Sequence, residues 1–433
     1  MRAAFDRPLG LYRAAMMLAA ALFVLVFVYF FLTSLVRVPV YDMLDWVLHW
    51  GDLQRSGDWI AYLWTPHNEH RIVWSRLLLL ADLTLFAGTG TPFHIAGVIL
   101  LGLLVSVILR QAWLTDLPER DSLLFLLLLA TMPTFIVVMC AMPSMGVFLQ
   151  TSAFATFSLA LSTDNHGSLM RRVGALICAM GAAFGVSGGL LIWPVLVWYG
   201  WRRGHRWPWL LVVIIIGAAF TALYVAGLPR DTIPTEFDLP SIGRRIDFFI
   251  RFLGLPWSHS ESLVWPGRFI GIAILVLACW AAAADLVRRN STAAGQFGLA
   301  LVLFAVLLAA AAAMVRFDAV PERQMPVRYS MFVTLAHAGL ILAFAPRLSA
   351  WLQHRRLKIG VLLVAAILLV QQVGAGLASR AETDRYTREW QTFVAGGDWT
   401  AEMNRYVYPE RERALVGLRF MQSHGLYLQP PKP

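Results

Sequence analysis

The chain has 433 residues, of which 58% are hydrophobic and 14% charged, and its net charge is +10. Apolar runs near the roughly 20 residues that cross a bilayer recur along it, which excludes an ordinary soluble domain and marks a polytopic membrane protein. The basic balance is no argument for nucleic acid, because arginines in short loops beside anionic lipid headgroups account for it.

Read from its start, "MRAAFDRPLGLYRAAMM" sets Arg2, Arg7 and Arg13 ahead of an apolar run over roughly 14–36. That run is too long for a signal-peptide core, so it predicts a retained anchor with a cytoplasmic N-terminus. Directly beyond it lies "YDMLDWVLHW" at 41–50. If 41–53 is helical, Asp42, Asp45, His49 and Asp52 share an arc of roughly 80°, with Met43, Leu44, Trp46, Val47, Leu48 and Trp50 around the rest. Such a helix rests on the membrane with a carboxylate and imidazole stripe turned to water or to a cavity. Interfacial helices usually present Lys and Arg on the wet side, so Asp and His here point to chemistry; a solvated face is the alternative.

The second polar knot, "WTPHNEHRI" at 64–72, reads as a helix start with Thr65 as N-cap and Pro66 in the first turn. His67, His70, Arg71 and Trp74 then share one face, while Glu69 points elsewhere, nearer Ile72 and Arg76. Two imidazoles and a guanidinium at a helix start suit an anion such as a phosphate. His67 and His70 with Asp42 or Asp45 leave a divalent cation as an alternative, and ordinary loop charges are another. "SRLLLLADLTLFAG" at 75–88 predicts a helix lying in or dipping into the outer leaflet.

Further spans are expected at roughly 92–113, 121–139, 143–161, 173–187, 188–200, 208–228, 263–285, 296–315, 329–346 and 359–378, about eleven in all. The pair around "GVSGGLLIWP" also fits a broken or re-entrant element. Arg110 with Arg120, Arg171 with Arg172, Arg202 with Arg203 and Arg206, Arg288 with Arg289, and "RLSAWLQHRRLK" at 347–358 fall on one side, which the positive-inside rule makes cytoplasmic. The other face receives 37–90, 229–262, 316–328 and the tail from 379. The expected organisation is therefore a transmembrane module over 1–378, with amphipathic helices in a first extracytoplasmic loop at about 37–90, and a small extracytoplasmic tail over 379–433.

Two other outer pieces carry charge. "AMVRFDAVPERQMPVRYS" at 313–330 brings Arg316, Arg323 and Arg328 to the outer face, paired either with Asp318 and Glu322 or with an anionic lipid-linked ligand. Glu236, Asp238, Arg244, Arg245 and His259 in 229–262 do not stand out. Cys140, Cys178 and Cys279 sit in apolar stretches without a metal or disulfide pattern, and no phosphate-binding, dinucleotide or zinc-protease motif is present.

A first span, a long loop opening with acids, about ten further spans and a small outer tail resemble the GT-C superfamily of integral-membrane glycosyltransferases over essentially the whole chain. The residues carrying the resemblance are "YDMLDW", "PHNEHRI", "GLLIWPV" at 189–195 and "VRYS"; the last three are similar to elements of a bacterial GT-C-like branch. The resemblance implies a polyprenyl-phosphate-linked sugar donor, a glycan, lipid or protein acceptor, and a catalytic carboxylate in the first loop at the outer face of a bacterial inner membrane. Asp42 matches the key acid best and Asp45 second; the adjacent acidic pair of some branches is absent, since Met43 and Leu44 intervene. Inverting transfer needs one base, and a carboxylate shielded by Trp46 and the bilayer is expected to have a raised pKa. Stabilising the leaving phosphate falls to His67, His70, Arg71, Arg316, Arg323 and Arg328, with Glu69 beside them. A transporter of lipid-linked sugars, for which Asp82 is the main intramembrane acid, and a non-catalytic assembly factor remain as alternatives.

Overall fold

The computed structural model describes residues 6–39, 41–132, 142–164, 167–229, 238–255, 264–288, 292–317 and 325–427. Among them regular structure is all helical. In chain order the helices are α1 (Asp6–Thr33), α2 (Asp42–Ser56), α3 (Trp59–Trp64), α4 (Val73–Leu85), α5 (Thr91–Trp113), α6 (Arg120–Thr131), α7 (Gly146–Leu161), α8 (Leu169–Ala183) and α9 (Ile192–Arg202). They continue as α10 (Trp207–Val225), α11 (Leu239–Leu253), α12 (Val264–Arg288), α13 (Ala293–Arg316), α14 (Ser330–Ala343), α15 (Ala345–Trp351), α16 (Arg355–Val394), α17 (Ala401–Tyr406) and α18 (Arg411–His424). Short 3-10 turns at Pro143–Met145, Ser187–Leu191 and Val327–Tyr329 lead into α7, α9 and α14.

Seven of these helices are long and apolar enough to cross a bilayer: α1, α5, α7 with its leading turn, α10, α12, α13 and α16. The pair α14 and α15, bent by 67°, would be an eighth. The chain is thus a membrane-embedded helical bundle, with fewer full-length spans among the described residues than the eleven expected. The difference lies where the hydrophobic runs are short. Helices α8 and α9 have 15 and 11 residues, less than the roughly 20 of a straight span. The expected span at 121–139 is described only as far as residue 132.

The glycines of "GVSGGLL" explain the break between α8 and α9. A Cβ on Gly189 would lie 2.1 Å from the Ala182 carbonyl oxygen, and one on Gly185 2.4 Å from that of Val147. Only hydrogen at these positions lets the chain turn back against α8 and α7.

Polar contacts divide the bundle into two ends. Lys358 pairs with Glu119 at 2.7 Å, Arg202 with Asp285 at 2.8 Å, and Arg203 donates to Gln296 at 3.0 Å, which gathers the basic interhelical loops at one end. The opposite end holds α2 to α4, the C-terminus of α13, the start of α14 and the tail. Helix α16 runs unbroken for 40 residues, straight through position 378, and delivers α17 and α18 to that second end.

Helix α2 forms where the acidic stripe predicts it and stops at Gly57, whose φ of 69° only glycine adopts without cost and whose N–H caps the Leu53 carbonyl at 2.7 Å. Its apolar face is not left to lipid: Leu44 and Trp46, each 1% exposed, belong to the main core. The expected interfacial helix is therefore roofed by protein, because α18 packs on it. Helix α4 likewise turns Ser75, Arg76 and Asp82 inwards.

Candidate functional site

The second polar knot is a turn and not a helix start. Thr65 closes α3, its hydroxyl and its N–H both donating to the Ala61 carbonyl, at 2.6 and 2.9 Å. His67 and His70 then exchange backbone hydrogen bonds of 2.7 and 2.9 Å around Asn68, whose φ of 50° lies in the left-handed region that asparagine tolerates. Helix α4 begins only at Val73. The helical face predicted for His67, His70, Arg71 and Trp74 is thereby overturned: Glu69 joins the histidines and Arg71 leaves them.

A cavity of about 430 Å³ opens at this turn and is lined by Asp42, His67, Glu69, His70, Arg316 and Arg328 among its polar groups. These come from α2, the turn, the last residue of α13 and the entry to α14. Asp42 Oδ2 lies 3.3 Å from His67 Nε2, close enough for an ion pair but off the line of a good N–H···O bond. Glu69 accepts a hydrogen bond from Arg316 and has an oxygen 3.6 Å from His70 Nε2. The Ser187 N–H donates to His70 Nδ1 at 3.2 Å, with the Ser187 hydroxyl 3.0 Å from the same nitrogen. Accepting at Nδ1 fixes the neutral imidazole as the Nε2–H tautomer, with that hydrogen towards Glu69. Arg328 makes no ion pair among the described residues; its guanidinium stands 6.0 Å from the Phe148 ring centre and 5.5 Å from that of Tyr329.

Charge and burial compete at these groups. Burial, the largest influence on Asp42, raises its pKa, but the His67 imidazole beside it and the charges of Arg328 and His70 outweigh it, and the net shift is downward. The expected upward shift is thus corrected: Trp46 does wall the carboxylate, but the basic groups facing it dominate. More than half of the Asp42 side chain is open to the recessed cavity, which leaves room for a reactant. His70 moves down to about 4, first because burial disfavours the imidazolium and then because His67 and Arg328 repel it.

Two predicted residues lie elsewhere. Asp45 faces the tail, accepting from Arg413 Nε at 2.6 Å and from the Tyr408 hydroxyl at 2.9 Å. Arg71 is buried and structural: Nε donates to the Tyr224 carbonyl at 2.7 Å, and the two terminal nitrogens donate to the carbonyls of Trp64 and Ala226. Arg323, with Asp318 and Glu322, lies outside the described residues, as do Glu236 and His259. Asp82 is fully buried and saturated by the Gly90 N–H at 2.9 Å and the Tyr427 hydroxyl at 2.7 Å. No group of three His, Cys, Asp or Glu side chains among the described residues is arranged to hold a metal. The two guanidinium groups in the cavity favour an anion there.

The sequence pattern did not single out Tyr41 or Ser187 as part of the site. Both stand in segments it had marked, "YDMLDW" and the glycine-rich break, but their contacts are long-range. Ser187 and Gly188 line the cavity, while Leu190 and Leu191 of the same turn line an open apolar groove of about 920 Å³ between α9 and α10. The groove runs to Trp201 and Trp207 at the basic end. One 3-10 turn thus contributes residues to both the polar cavity and the apolar groove.

No protein-family model, curated protein or solved structure matches this chain.

Proposed function

We propose that the chain is a membrane glycosyltransferase of the GT-C type, moving a sugar with inversion from a polyprenyl-phosphate donor to an envelope glycan, lipid or protein. The observation that carries this reading is that Asp42 and Arg328, which makes no ion pair among the described residues, share a cavity with His67, His70 and the Glu69–Arg316 pair. The groove lined by the same 3-10 turn supports it, being apolar and of a volume that suits an isoprenoid chain, whose phosphate we assign to Arg328.

In the step we infer, an acceptor oxygen attacks the anomeric carbon from the face opposite the phosphate, and its proton passes to the Asp42 carboxylate. The bond from that carbon to the phosphate oxygen breaks, its electron pair leaving on the phosphate. Arg328, the His70 Nε2–H and Arg316 are the donors placed to stabilise that growing charge. The cavity would face outwards from a bacterial inner membrane, with the basic loops and the N-terminus in the cytoplasm. Counting α6, α8 and α9 as further crossings would restore eleven spans.

The test is sugar transfer by purified protein in lipid, using radiolabelled polyprenyl-phosphate sugars and envelope extracts as acceptors. Transfer by the wild type is the expected result. Donor binding or translocation without turnover would instead support a transporter or an assembly factor. The hydrogen bonding of Asp82 weakens the transport alternative, since both oxygens of that carboxylate have structural donors.

A further inference from the structure

Asp42 begins α2, and among the described residues its one ion-pair partner in the cavity is the poorly aligned His67 nitrogen. What fixes the carboxylate must therefore act through the helix that carries it. The residue before it, Tyr41, has φ 52° and ψ −128°, a conformation that a bulky side chain adopts only when its surroundings impose it. Those surroundings are the tail: the Tyr41 N–H donates to the Val407 carbonyl at 2.9 Å, and its hydroxyl donates to the Arg405 carbonyl. The Tyr41 ring also meets Tyr386 edge-on at 5.8 Å.

One turn beyond Asp42 the tail grips again. Asp45 takes both the Arg413 Nε and the Tyr408 hydroxyl, at 2.6 and 2.9 Å. Leu44 sits against Gly417, where a Cβ would come within 2.8 Å of its Cδ2 atom. The tail contacts thus bracket Asp42 on both sides, yet among the described residues no side chain of 401–427 lines the cavity.

We propose that segment 401–427 is a positioning strap for Asp42, with Tyr408 and Arg413 as positioning residues that act through Asp45 and α2. This rests on Asp42 being the base, as proposed above. Because the strap touches α2 and not the phosphate end of the cavity, breaking it should move the base while leaving donor recognition in place.

The experiment compares full-length wild type with Tyr408→Phe/Arg413→Met, Arg413→Lys and the control Asp52→Asn, whose carboxylate pairs with Arg55 on the surface. Turnover at saturating donor should fall about tenfold or more in the double variant while donor KM stays within about twofold. Arg413→Lys should recover part of the loss, and Asp52→Asn should match the wild type. Unchanged turnover per folded molecule, a loss shared equally by KM, or a loss that only tracks the folded fraction in detergent melting would overturn the proposal.

A second arm does not depend on turnover. In an Asp42→Cys variant with the three native cysteines replaced by alanine, the thiol is labelled with a methanethiosulfonate reagent. Breaking the strap should change the labelling rate, and an identical rate would overturn the proposal. If the wild type transfers no sugar from any donor, the enzymatic assignment fails, and this arm alone decides the strap.

Discussion

Arg316 donates to Glu69 across 247 residues of chain, which leaves Arg328 as the cavity guanidinium with no carboxylate partner among the described residues. A paired guanidinium offers a ligand less net charge than an unpaired one, so the two arginines are not equivalent. Arg328 is the primary phosphate contact in this account, and Arg316 supports it.

Arg328→Met should therefore weaken donor binding by about tenfold or more, the scale of one charge-assisted hydrogen bond. Arg316→Met should cost less, and Glu69→Gln should tighten the donor by releasing Arg316. Titrating a short-chain isoprenyl phosphate into each variant by calorimetry checks the order; equal losses from both arginines would contradict it.

The pH dependence of turnover follows from Asp42. Its pKa is below the ordinary 3.8, since burial raises it but the adjacent His67 and the charges of Arg328 and His70 outweigh burial. The base is then ionised throughout the neutral range, and kcat/KM should stay flat down to about pH 5. Removing the Arg328 charge should move the acid limb upwards. As a depressed carboxylate, Asp42 also adds stability above its unfolded value, lost as pH falls through the lower folded one. A pH–rate profile of wild type and Arg328→Met gives the direction.

Stability should also report on His70. Its folded pKa is about 4 against an ordinary 6.5, so between these values the unfolded chain takes up a proton that the folded chain refuses. Stability from this group is complete above 6.5 and is lost as pH falls towards about 4. His70→Gln should flatten the melting temperature across that window relative to wild type, whereas an unchanged slope would show that His70 charges freely in the fold.

Arg71→Met should destabilise without altering donor affinity. The guanidinium serves three carbonyls, the buried one of Tyr224 and the part-buried ones of Trp64 and Ala226, and its loss leaves the Tyr224 carbonyl without this partner inside the fold. A cost of about 3 kcal/mol or more is expected from the unsatisfied groups. Denaturant or thermal unfolding in detergent, beside a phosphate titration, separates this from a binding role.

Local pattern made some of this legible in the sequence and hid the rest. The period of Asp42, Asp45, His49 and Asp52 marks α2, because a helix repeats its faces about every 100° whatever it packs against. That period did not show that the stripe divides, Asp42 turning to the cavity and Asp45 to Arg413, since the partner lies 368 residues away. Thr65-Pro66 carries the marks of a helix start, yet the same threonine closes α3; Asn68 was the available sign of a turn. A helical reading of the segment puts Glu69 on the wrong face, because the segment is a turn. Ser187 reaches His70 only because the glycines beside it bring two helices into contact, which no spacing in the chain reveals.

The central claim is that Asp42 takes the proton from the acceptor. Its most direct test is single-turnover sugar transfer by Asp42→Asn with donor affinity measured on the same preparation. Transfer should fall by about a hundredfold or more, the usual contribution of a general base, with donor affinity unchanged. Transfer at the wild-type rate in Asp42→Asn would contradict the claim and leave the cavity as a binding site whose base lies elsewhere.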